Sequence, residues 1–198
     1  MYWFFKKRIL YFLKKIVINC TFLFLISEPL IGTIYLLMKN LILVRHAKSS
    51  WEVPMHDKDR VLTTQGTKDA HLVSTLAKDC IPKNYTIWAS TAKRAINTAL
   101  IFGQNFGYPL ESIIYKDDLY TFDERKLEEI IKSCNNHLDN VIVFGHNEAI
   151  TNFVNKFGDN FIDNVPTSGF VSLEFDTNDW TRIKKGKIKK IIFPKELR

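Results

Sequence analysis

The chain has 198 residues, 46% of them hydrophobic and 13% aromatic, which suits one domain with an additional segment and argues against disorder over most of the length. Its formal charge of +7 sits at the ends: residues 1–37 carry five basic residues against Glu28, residues 182–198 carry eight against Glu196, and the body between is net acidic. A basic tail suits nucleic acid, but this one alternates with Ile183, Ile188, Ile191, Ile192 and Phe193 like a last strand with one solvated face, and no binding module accompanies it, so nucleic acid is set aside as a partner.

Residues 1–37 stand apart from the pattern that follows. Aromatic and basic residues come first, then a largely apolar run over 16–37 that is about long enough to span a bilayer. Glu28-Pro29 interrupts it, and a charge near mid-span is unfavourable by about 3 kcal/mol. A cleaved export signal fits poorly, because the basic region is long and no small-residue cleavage site precedes Met38. The preferred reading is a misassigned start, with translation beginning at Met38, and a membrane anchor comes next. The protein is then expected to be cytoplasmic, or membrane-anchored through residues 1–37, with a domain over 38–198.

Residues 41–44 read as a buried strand that ends in Arg45-His46. Open α/β sheets bind ligands outside the carboxyl ends of their strands. Arginine offers a planar fork that matches phosphate oxygens, and a neutral histidine is nucleophilic near pH 7. A polar loop over 48–60 follows. Thr63 then caps a helix with a stripe of Thr67, Ala70, His71, Val73, Leu76 and Ala77. A breaker at 80–84 precedes a strand over 85–89. Ser90 or Thr91 is the expected cap of a helix with Arg94 in its first turn, packed by Ala95, Ala99 and Phe102 and stopping near Gly103 to Gly107. A third strand over 110–116 leads to Asp117-Asp118-Leu119-Tyr120 and a helix over 123–134 that buries Leu127, Ile130 and Ile131.

Residues 141–144 repeat the opening design, with Gly145 where the backbone turns or approaches closely, and then His146. A helix over 149–157, a turn over 164–169, a strand over 170–175 and a closing strand over 187–193 complete the chain. This alternation predicts a three-layer α/β/α sandwich with a largely parallel central sheet. His56, His71 and His137 read as loop or surface residues. The histidines lack paired spacing and the three cysteines (Cys20, Cys80, Cys134) do not cluster, so no metal and no cofactor is expected, and the thiols suit a reducing compartment.

An Arg-His pair after the first strand, a later Arg and a later Gly-His resemble the histidine phosphatase superfamily, also called phosphoglycerate mutase-like. Arg45-His46-Ala47-Lys48-Ser49-Ser50-Trp51, the 57–66 stretch and Gly145-His146-Asn147 resemble its small SixA-type phosphohistidine phosphatases, from about Met38 to the C-terminus. The resemblance implies a metal-independent phosphatase with His46 as nucleophile and a phosphohistidine intermediate. Arg45 and Arg94 would hold the phosphoryl oxygens, joined by His146 as a third donor if its ring is protonated, with Ser49, Asn147 and Thr167 as further substrate-binding positions. Asp57, Asp59, Asp118 and Glu124 are candidate proton donors, and spacing does not choose among them. The expected partner is a phosphorylated protein such as a phosphotransfer domain. Alternatives are a small phosphorylated substrate of a broad phosphomonoesterase, or a non-catalytic phosphate-binding module.

Overall fold

Two neighbouring strands, each apolar on both faces, set the centre of the protein. Along β1 (Met38–Arg45) Leu41 and Leu43 point to one layer, and Ile42 and Val44 point to the other. Along β4 (Asn140–Gly145) Val141 and Val143 join the first layer, and Ile142 and Phe144 join the second. Strands buried on both faces need helices on both sides. The computed structural model describes residues 38–52 and 54–197, so the readings made for residues 1–37 lie outside the described residues.

The sheet also contains β2 (Thr86–Ser90), β3 (Ile114–Lys116), β5 (Phe170–Asp176) and β6 (Lys187–Ile192), in the order β3-β2-β4-β1-β5-β6. The β1/β4, β2/β4 and β2/β3 pairs are parallel, and β5 runs antiparallel to both β1 and β6. Only β5 is therefore reversed. Helices α1 (Thr64–Ala77) and α2 (Lys93–Phe106) cover one face, and α3 (Glu124–Lys132) and α4 (Ala149–Phe157) cover the other. This is the expected three-layer sandwich. Among the described residues no helix is long and apolar enough to cross a membrane.

Local chemistry explains the boundaries. Thr63 caps α1 by accepting from the Gly66 amide at 2.9 Å, as expected. Gly66 is required: a Cβ there would lie 2.2 Å from the Lys48 carbonyl oxygen, so only glycine lets α1 dock on the loop after β1. Gly107, in the left-handed region at φ 72°, ends α2. The buried side of α1 is Gly66, Asp69, Ala70, Val73, Ser74 and Ala77, whereas His71 and Leu76 are exposed. Small residues pack there because α2 lies close against it, and the larger Leu76 falls on the solvent side.

Three further expectations are corrected. The cap of α2 is Ala92, with no side-chain cap bond, because Thr91 Oγ1 instead donates to Asp117. The strand expected over 110–116 is reduced to β3, since residues after Pro109 form a turn of 3-10 helix over Leu110–Ser112. Gly145 is not sterically required: a Cβ there would make only ordinary contact, 3.6 Å from the Ile150 side chain. At the opposite end of the sheet Lys39 is 1% exposed and fully engaged, donating to Asp139 Oδ1 at 2.7 Å and to the Asn136 and Leu138 carbonyls. Burying its charge is tolerated because every proton has a partner.

Candidate active site

The parallel register between β1 and β4 pairs Arg45 with Gly145, so the residues that follow, His46 and His146, emerge side by side. Their ring centroids are 5.1 Å apart. The end of β2 adds Ser90, and the first turn of α2 adds Arg94. One hydroxyl ties these elements together. Thr98 Oγ1 accepts from the Ala47 amide at 2.9 Å and donates to the Arg94 carbonyl at 2.6 Å. The loop that carries His46 is thereby fixed to the helix that carries Arg94.

The histidine tautomers follow from their partners. His46 Nδ1 lies 2.8 Å from the Ala47 carbonyl oxygen. A carbonyl only accepts, so Nδ1 holds the proton and Nε2 keeps the free lone pair. Burial pushes this imidazole down to about 3, the Ala47 bond acts in the opposite sense, and the charges of Arg94, Arg45 and Arg60 add to the effect of burial. His46 is therefore neutral at physiological pH, as a nitrogen nucleophile must be.

His146 departs from expectation. Its Nδ1 faces Arg94 Nη2 at 3.3 Å, and its Nε2 lies 2.8 Å from Ser90 Oγ. Arginine only donates, so Nδ1 accepts and the Nε2 proton goes to Ser90. Burial, then the neighbouring His46 and Arg94, push this ring down to about 2. His146 is a neutral acceptor that orients Arg94, so the condition for a third donor, a protonated ring, is not met in this arrangement. Tyr120 and Phe122 pack on it, with centroids at 5.3 and 5.4 Å.

Three guanidiniums converge here. Arg45 donates to the Val165 carbonyl at 2.8 Å, and its Nε is buried without a partner among the described residues. Arg94 is 1% exposed; it donates to the Asp57 carbonyl and, at 2.8 Å, to Asp57 Oδ2, and its Nε is likewise unpartnered among the described residues. Arg60 is buried, lies 3.1 Å from Asp57 Oδ1 through Nε, and stacks 3.5 Å from the ring centroid of exposed Trp51. Guanidinium forks match the charge and geometry of phosphoryl oxygens. A phosphoryl group supplies three acceptor oxygens.

Of the four candidate proton donors, Asp57 alone touches Arg94. Asp59 pairs with Lys93 at 3.4 Å, Glu124 pairs with Lys156 at 2.7 Å, and Asp118 is exposed. Burial opposes the charge on Asp57, but the Tyr120 hydroxyl at 2.6 Å and the Arg94 and Arg60 guanidiniums outweigh it and hold the carboxyl below its ordinary range. A carboxylate held ionised is a poor general acid. Ser49 lies in the strand-like bridge to Leu62. Asn147 donates to Asn164 Oδ1 at 2.8 Å, bracing the loop that holds Arg45, and half-buried Thr167 precedes Ser168, whose amide donates to the Arg45 carbonyl at 3.1 Å. Sequence reasoning passed over Arg60 as a site residue, and it read Ser90 only as a cap.

Residues 41–123 match the model of the histidine phosphatase superfamily, branch 1, a span that includes Arg45, His46, Arg60 and Arg94. This bears out the resemblance drawn from the motifs. Among solved structures the chain is similar to the protein histidine phosphatase SixA complexed with tungstate (TM-score 0.67, 19% identity, 80% of this chain and 99% of that one). It is also similar to a protein from Agrobacterium tumefaciens assigned as phosphohistidine phosphatase SixA (0.64, 23%, 78% and 97%). A mycobacterial glucosyl-3-phosphoglycerate phosphatase shares the fold at a TM-score of 0.56 and 12% identity, over 77% of this chain and 97% of that one. No curated protein matches the sequence.

Proposed function

We propose that this chain is a cytoplasmic phosphatase that transfers a phosphoryl group to His46 and then to water, acting on phosphohistidine carried by a protein. The observation that carries this reading is the pairing of His46 Nδ1 with the Ala47 carbonyl, which leaves Nε2 as a neutral nucleophile beside three guanidiniums. Three features support the reading: the superfamily match, the shared fold and an acidic group at the site that stays ionised.

The chemistry balances without a general acid. In phosphohistidine with its second ring nitrogen protonated, the Nε2 lone pair of His46 attacks phosphorus as the P–N bond to the leaving ring breaks. The electron pair stays on the leaving nitrogen, and that ring departs as neutral imidazole. His46 then carries phosphorus on Nε2 and its original proton on Nδ1, with the positive ring charge stabilised by the Ala47 carbonyl. Water attacks phosphorus, the electron pair returns to Nε2, and the phosphate leaves with both water protons. Arg45, Arg60 and Arg94 stabilise charge on the non-bridging oxygens in both steps.

The test is rapid quench of the chain with a phosphohistidine-bearing phosphotransfer protein. Acid-labile phosphate on the wild type, absent from His46→Ala, is the expected result. Turnover of p-nitrophenyl phosphate with neither label nor dephosphorylation of the protein would move the substrate to small molecules. Equal activity in His46→Ala would remove the mechanism.

A further inference from the structure

We propose that Asp57 sets which leaving groups the site accepts, by fixing the site's charge at a value that a phosphoryl group alone neutralises. The inference rests on the phosphatase reading and adds a specificity to it. Three guanidiniums (Arg45, Arg60 and Arg94) and one carboxylate meet at the ends of β1, β2 and β4, so the formal charge is +2 with both histidines neutral. A phosphoryl group carries about two negative charges near pH 7. Once it is bound, no positive charge is left over for a second anionic group on the substrate.

The geometry puts Asp57 where a substrate meets it. Its guanidinium partners are buried, at 1% and 7% side-chain exposure, whereas Asp57 itself is 37% exposed. Both carboxylate oxygens are engaged: Oδ2 accepts from Arg94 and from the Tyr120 hydroxyl, and Oδ1 forms an ion pair with Arg60. It is thus a fixed negative charge at the mouth, in contact with two of the groups that grip phosphate. A substrate whose leaving group is neutral, or is cationic while still bonded to phosphorus, as an imidazole ring protonated on its second nitrogen is, is favoured beside it. One that bears a carboxylate, as a phosphorylated sugar acid does, is repelled, and such like-charge contacts are an effective way to exclude a wrong ligand.

The experiment compares kcat/KM for phenyl phosphate, 4-carboxyphenyl phosphate and phosphoimidazole in the wild type, Asp57→Asn and Asp57→Glu, using the full chain. Asp57→Asn is expected to raise the carboxyphenyl-to-phenyl ratio by about tenfold, which is one pK unit of charge interaction. It should also lower the phosphoimidazole-to-phenyl ratio. Asp57→Glu, which restores the charge, should keep both substrate ratios close to those of the wild type, whatever its effect on the absolute rates. If Asp57→Asn slows all three substrates in parallel, Asp57 merely positions Arg94 and the inference is wrong. Failure of the wild type to cleave any of the three would defeat the phosphatase reading itself.

Discussion

At the carboxyl ends of β1, β2 and β4, charge is sparse, buried and fully specified: Arg94 and Arg60 are almost inaccessible and share one carboxylate. Along the β5–β6 hairpin, charge is dense and solvated. Lys187, Lys189 and Lys190 are exposed, and Lys189 pairs with Glu174 at the surface. The run of positive charge that dominates the sequence thus lies away from the candidate site, on an edge strand where lysines discourage further strand pairing. Burial distinguishes the two regions, because a guanidinium removed from water must have a designated acceptor, whereas a solvated ammonium needs none.

The contrast can be tested by removing side chains from each region. The hairpin half should matter through packing. Trp180, fully buried on the β5–β6 connection with its indole N–H donating to the Leu138 carbonyl at 2.7 Å, is the largest case. Trp180→Ala should lower stability by about 3–5 kcal/mol, read as the urea midpoint. At the other end, Arg94→Ala should cost about 10²–10³ in kcat by loss of a transition-state donor, with a urea midpoint less affected than that of Trp180→Ala. Equal loss of stability in both variants would erase the distinction.

A smaller effect should appear with pH. His46 and His146 stay neutral in the folded chain down to about 3 and about 2, whereas the unfolded rings titrate near 6.5. Below 6.5 the unfolded chain binds more protons, so the stability contributed by neutral burial is full above that pH and is lost as pH falls from 6.5 through the folded values. The thermal midpoint should drop between pH 7 and 5, and less steeply in His46→Asn. The smallest effect belongs to the solvated lysines. Lys187→Ala with Lys190→Ala should change stability by less than about 0.5 kcal/mol each and leave turnover of p-nitrophenyl phosphate within about twofold.

Arg45, His46, Arg94 and His146 were legible because each directly follows an apolar strand or opens the helix after one, so local pattern placed them at one edge of the sheet. Arg60, Tyr120 and Ser90 were not, because their roles come from contacts across the chain. Tyr120 reaches Asp57 from 63 residues away, and Ser90 reaches His146 from 56. Residue type also misled where tertiary packing decided the outcome. Thr91 looked like a cap but is drawn to Asp117, and the charge state of His146 depends on burial that no local stretch reveals. The layered fold followed from the strand and helix alternation. The shortness of β3 did not, because it depends on the turn that Pro109 opens.

The Ala47 carbonyl has a consequence for regiochemistry. By occupying Nδ1 it leaves one ring position at which phosphorus can bond, so any adduct on His46 should be the Nε2 isomer. The two phosphohistidine isomers are distinct chemical species with different lability and different phosphorus resonances. A single backbone oxygen therefore determines which of them a phosphorus spectrum of the trapped protein should contain.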